Sequence, residues 1–153
     1  MYSREEIKQL KQVFWTKFGQ FMALHLSADG EKANWINYKT GIKHLFFKMD
    51  ADKKVAKIAI QWSQSDGGIR ALMAEQFLQY KALLHDLLGE EWIWDMDGRD
   101  EYGKPICQIY ACLEGYSVFK EEDWPELISF FKPRMMALDE FWSSAKYAFD
   151  IFK

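Results

Sequence analysis

The chain has 153 residues, enough for one domain with its own core, and is 49% apolar and 17% aromatic, which excludes a disordered segment. A net charge of −3 gives it no global attraction to nucleic acid or to anionic lipid. Its longest stretch without a charged residue, 18–28, is eleven residues, against roughly 20 for a membrane-spanning helix.

Residues 1–10 are polar and helical in style, unlike a secretory leader. Ser3 opens a helix over residues 4–23, with Glu6 three positions on as the second half of a capping box. Ile7, Leu10, Phe14, Phe18 and Phe21 form its stripe, widened by Val13 and Met22. Ser27, Asp29 and Gly30 end it. Residues 34–40 alternate weakly, so a short strand and a turn of helix are both open; Gly41 breaks either.

A hairpin follows. Leu45, Phe47 and Met49 face one way and Phe46, Lys48 and Asp50 the other. Residues 50–53 turn, and the return strand points Ala56, Ile58, Ile60 and Trp62 inward and Lys57 and Gln61 outward. Asp66, Gly67 and Gly68 introduce a second helix with a stripe of Ile69, Leu72, Met73, Phe77, Tyr80, Leu84 and Leu87, and Gly89 as its C-cap. A strand begins at Trp92, Ile93 and Trp94. Residues 97–103 read as a polar loop and 106–113 as the return strand.

The last helix carries Ile128, Phe131, Met135, Leu138, Trp142, Ala145, Phe149 and Phe152 at alternating spacings of three and four. Asp123 is its expected N-cap, with Glu126 completing a capping box and Pro125 in the first turn. Pro133 falls inside, yet the apolar phase continues past it. One kinked helix or two coaxial ones fits, and a break does not. The stripe suits a domain core better than a coiled coil.

The order is α-β-β-(β)-α-β-β-α. It predicts a single α+β domain over 1–153, a two-layer sandwich of four to five antiparallel strands covered by three helices. Cys107 and Cys112, five apart in a strand, fall on opposite faces and should not pair, which suits a reduced, cytoplasmic protein.

Charge is uneven. Residues 39–57 hold six Lys and two acids, and 86–101 hold seven acids and one Arg. The basic hairpin, with Tyr38 and Phe46 as stacking groups, could hold a phosphate backbone, but it has no Arg, and a solvated hairpin explains it as well. Metal-dependent nuclease chemistry would need Glu6, Glu31, Asp52 and Lys54 to converge, with Asp52-x-Lys54 as its motif. Asp52 falls in a turn, which weakens that reading. His25, His44 and His85 lack metal-ligand spacing, and Gly67-Gly68 lacks a phosphate-loop pattern. Asp95, Asp97 and Arg99 put a cation where a calcium loop needs an oxygen. No metal or cofactor is expected.

Several stretches together are distinctive: Ser3-Arg4-Glu5-Glu6, Phe14-Trp15 with Phe18-Gly19, Asn34-Trp35-x-Asn37-Tyr38-Lys39-Thr40-Gly41 and Phe47-x-Met49-Asp50-Ala51-Asp52. With them go Leu88-Gly89-Glu90-Glu91-Trp92, Asp123-Trp124-Pro125, Lys132-Pro133-Arg134 and Leu138-Asp139-Glu140-Phe141-Trp142. In these the chain resembles the bacterial domain-of-unknown-function family numbered 4268. That family includes short stand-alone proteins and the C-termini of longer, partly nuclease-related chains. The resemblance implies an accessory or binding role and carries over no catalytic residue.

The expected binding residues are Asn37, Tyr38, Lys39, Thr40 and Lys43, where groups that make directional contacts are dense. Lys132 and Arg134, flanking Pro133, come second. The reading is a binding or accessory module without catalysis of its own; its ligand is not specified by the sequence, with a protein partner or a second copy open, nucleic acid along residues 39–57 not favoured and no membrane partner expected. A nuclease-like domain is the alternative, and a homodimer using surplus aromatic surface is a third.

Overall fold

The computed structural model describes residues 2–153 and is α+β, with one antiparallel sheet of four strands. The helices are α1 (Arg4–Met22), α2 (Gly67–Gln79), α3 (Lys81–Leu88) and α4 (Trp124–Ala145). The strands are β1 (Leu45–Ala51), β2 (Val55–Trp62), β3 (Ile93–Arg99) and β4 (Pro105–Glu114), in the spatial order β1-β2-β4-β3. β1 and β3 are therefore the edges.

The hairpin follows from alternation. Leu45, Phe47, Ala56, Ile58, Ile60, Trp62 and Ile109 are buried on one face of the sheet. Each large apolar side chain there stabilises by about 2 kcal/mol. Rings from the helices meet that face: Trp142 against Phe47 with centroids 5.9 Å apart, and Phe77 stacked on Trp62 at 4.8 Å. Lys57 and Gln61 take the opposite phase as expected, but half-buried. Lys57 Nζ donates to Gln108 Oε1 at 2.7 Å and lies 4.4 Å from the Tyr110 ring centroid. Cys107 is buried and Cys112 exposed on opposite faces, both as free thiols.

Capping was partly legible. Ser3 Oγ accepts from Glu6 N–H at 3.1 Å, and Asp66 Oδ1 accepts from Gly68 and Ile69 N–H at 2.7 and 3.2 Å. Gly89 closes α3 in the left-handed region, with φ 71°.

Other expectations are corrected. Phe21 and Val13 on α1, and Ile69 and Leu72 on α2, are exposed. A strict three-four count drifts off the face that Phe14, Phe18, Met22, Met73 and Phe77 bury. The expected second helix is two, divided at Tyr80 (φ −104°, ψ 10°), so the described residues form four α-helices and not three. Residues 34–40 form neither strand nor helix. β3 runs through Arg99 with an irregularity between Asp95 and Gly98, so part of the expected polar loop is strand.

α4 is one uninterrupted helix across Pro133. Proline removes the bond to the Ser129 carbonyl, and both residues are exposed, so water can take the vacant acceptor. It ends at Ala145, and Phe149 is buried from a following 3-10 turn. Asp123 makes no cap hydrogen bond to α4. Its carboxylate accepts from Ser117 N–H at 2.9 Å instead, and a 3-10 turn over Glu121–Asp123 leads into the helix.

Candidate functional site

A groove of about 790 Å³ lies between β1 and the irregular segment that precedes it. Asn37, Tyr38, Lys39, Thr40 and Lys43 all line it, with Trp15 of α1, Ile36, Ile42 and both faces of β1 from Leu45 to Asp50.

Residues 36–43 of this wall belong to a segment, 23–44, with no regular secondary structure, so side chains must fix it. Asn34 Oδ1 accepts from Ile36 and Asn37 N–H at 3.2 and 2.9 Å, an Asx turn. Thr40 Oγ1 donates to Leu45 O at 2.9 Å, and Trp142 Nε1 donates to Thr40 O at 2.8 Å. Trp35 Nε1 donates to His25 O at 3.3 Å. Gly41 and His44 both adopt positive φ, 84° and 63°, where the chain turns into β1. For histidine that conformation is uncommon.

Behind this wall sits Asp139, 5% exposed and the only buried carboxylate among the described residues. Its Oδ1 accepts from Tyr38 Oη at 2.6 Å, and its Oδ2 from Ala28 N–H at 2.7 Å. A buried charge is tolerable because it is hydrogen-bonded. Burial, and next the Asp139 hydrogen bond, raise the Tyr38 phenol above its ordinary pKa, so it stays a neutral donor. The Tyr38 ring stacks on Phe47 of β1, with centroids 5.1 Å apart. Tyr38 thus ties β1 to α4. Nearer the surface, Asp29 accepts from Ser143 Oγ at 2.6 Å and Lys146 Nζ at 2.9 Å, and these bonds hold its carboxyl below the usual range.

The expected binding residues therefore divide. Tyr38 and Thr40 spend their polar groups inside the protein. Asn37, Lys39 and Lys43 are exposed. Lys48 adds a third cation from β1, with Nζ 5.2 Å from the Phe46 ring centroid, and Asp50 is the one acid of the lining. None of the ion pairs among the described residues involves these three lysines.

Lys132 and Arg134 are not brought to the groove. Lys132 Nζ lies 4.8 Å from the Phe21 ring centroid. Arg134 pairs with Glu90 at 2.7 Å and donates to Phe130 O at 3.0 Å, on the turn that Pro133 loosens. Nor are Glu6, Glu31 and Asp52 gathered with one another. Glu6 is exposed on α1, Glu31 is in the irregular segment, and Asp52, in the hairpin turn, lies 3.8 Å from Lys11. Lys54 is exposed in the same turn. Among the described residues no group of three or more His, Cys, Asp or Glu could hold a metal ion. No described helix is long and apolar enough to cross a membrane.

Sequence reasoning missed Asp139. It stands four positions after Met135 and three before Trp142, so it shares their face of α4. A carboxylate in that phase was the available signal.

By architecture the chain is an α+β protein with a four-stranded antiparallel sheet and a groove along one sheet edge. It belongs to the family described as Domain of unknown function (DUF4268), whose model matches residues 10–146. That span takes in every stretch singled out above except Ser3-Arg4-Glu5-Glu6. No curated protein matches it. No solved structure matches it either.

Proposed function

We propose that the chain is a binding or accessory module without catalysis of its own, and that its ligand site is the groove between residues 36–43 and β1. The observation that carries this is the coincidence of an anchored polar segment, an apolar floor and three unpaired lysines around one 790 Å³ concavity. Two-layer packing suits the reading, because helices on the Phe47 side of the sheet leave the groove at its rim. The two free thiols suit a cytoplasmic setting.

The nuclease-like alternative has less support, since among the described residues its carboxylates form no group that could hold a metal ion. Plasmid DNA incubated with manganese and the full chain should stay uncut; cutting that Asp52→Ala abolishes would restore that alternative. The groove itself is tested by titrating the 15N-labelled chain with a mixture of blocked di- and tripeptides. Amide shifts should gather at residues 36–50. Shifts gathered on the Lys57–Tyr110 face, or around residues 114–123, would place the ligand site elsewhere.

A further inference from the structure

The register decides which backbone groups of β1 are already used. Asp52 N–H donates to Val55 O and Ser63 N–H to His44 O, each at 2.9 Å. With Phe46 opposite Gln61 and Lys48 opposite Ala59, the even-numbered residues of β1 turn their N–H and C=O toward β2. The odd-numbered ones turn theirs outward. Leu45 is satisfied locally: its N–H reaches Ile42 O at 3.3 Å, and Thr40 Oγ1 donates to its carbonyl. Beyond the far end, Val118 N–H donates to Asp52 O at 3.2 Å. Of the rest, Ala51 is fully buried at the hairpin end, while Phe47, 3% exposed, and half-buried Met49 line the groove and have no such partner. Among the described residues nothing hydrogen-bonds their outward N–H or C=O groups.

Sheet edges are usually blunted by proline, a bulge or a charge. β1 has neither proline nor a register shift here. Its one cation, Lys48, stands on the groove rim with Lys39 and Lys43 against the single acid Asp50. A second copy would bring the same lysines to the same edge. A phosphate backbone would match the lysines but cannot supply the alternating donors and acceptors that Phe47 and Met49 require.

We infer that the groove receives an extended acidic peptide segment, added as a strand at the free edge of β1 and hydrogen-bonded to Phe47 and Met49. Alternate side chains of that segment meet Trp15 and Ile36 on one side and Phe46 on the other, while its carboxylates face Lys39, Lys43 and Lys48. This rests on the groove being the ligand site and names its ligand class.

The test is selection from a random octapeptide library on the full chain, then binding and amide exchange with the best peptide. The enriched sequences should be net acidic and free of proline. The Phe47 and Met49 amides should become protected on binding. N-methylating the peptide at alternate residues should weaken it by about tenfold or more, because donors are lost without touching the protein. Met49→Pro removes an outward N–H and leaves the β2 ladder whole, so it should weaken binding similarly. Selected peptides that shift residues 36–43 but leave Phe47 and Met49 unprotected would sink strand addition and spare the groove. No enrichment, basic enrichment, or shifts away from residues 36–50 would overturn both. Concentration-dependent dimerisation protecting the same two amides would give the edge to a second copy and overturn the peptide.

Discussion

The two walls of the groove are held by different physics. β1 is fixed by a ladder to β2 and by alternate burial, both spread over seven residues. The segment carrying the opposite wall hangs on a few side-chain bonds to α4 and the 3-10 turn after it: Tyr38 and Ala28 to Asp139, Trp142 to Thr40, and Ser143 and Lys146 to Asp29. The first wall should resist change as a unit. The second should open locally when one anchor is lost. A groove with one rigid and one releasable wall can adjust its width without disturbing the sheet.

The largest effect tests the rigid wall. Phe47→Ala removes a buried ring from between Tyr38 and Trp142 and should cost about 4 kcal/mol in urea unfolding. The loss should be global, with one cooperative transition. Asp139→Ala strands the half-buried Tyr38 hydroxyl and the Ala28 N–H nearer the surface, and should cost about 2 kcal/mol. Here amide exchange should quicken over residues 28–40 well before the sheet. Uniform quickening would mean that the walls are one unit and that the contrast is wrong.

His44→Val forces a β-branched residue into the left-handed region, so about 1–2 kcal/mol should be lost. His44→Gly at the same position should hold or raise stability. Tyr38→Phe deletes one hydrogen bond and should cost about 1 kcal/mol near neutrality. Its pH dependence is more telling. The folded phenol is raised above the ordinary value of 10.0, mainly by burial and next by Asp139. Above about pH 10 the unfolded chain therefore releases a proton that the native one keeps, and stability falls. The benefit is complete below that pH, and Tyr38→Phe should make the fall shallower in urea melts between about pH 9 and 11. Smallest of all, Lys39→Glu with Lys43→Glu should move stability by less than about 0.5 kcal/mol. A larger drop would show that these lysines are structural and not free for a ligand.

Legibility in the sequence followed the same division. β1 and β2 could be read because a period of two depends only on neighbours, and Ser3, Asp66 and Gly89 because caps are local. The 36–43 stretch could be read as polar and dense in directional groups. What Tyr38 and Thr40 bond to could not, since Asp139 and Trp142 are 101 and 102 positions away. The expected cap at Asp123 failed for a related reason. Ser117, in the segment before it, competes for the same carboxylate. Phe21, Ile69 and Leu72 were misplaced because a helical stripe has a width that only its partner sets.

The separation between Tyr38 and Asp139 also governs when the groove exists. During synthesis at about 5–20 residues per second, the segment that forms the releasable wall emerges roughly 5–20 s before the helix that anchors it. The β1–β2 hairpin needs only neighbouring residues and can form in microseconds. A nascent chain therefore carries an open strand edge, with no finished groove around it, until α4 arrives. In that interval Lys48, projecting from the edge, is the feature that discourages pairing with other nascent chains.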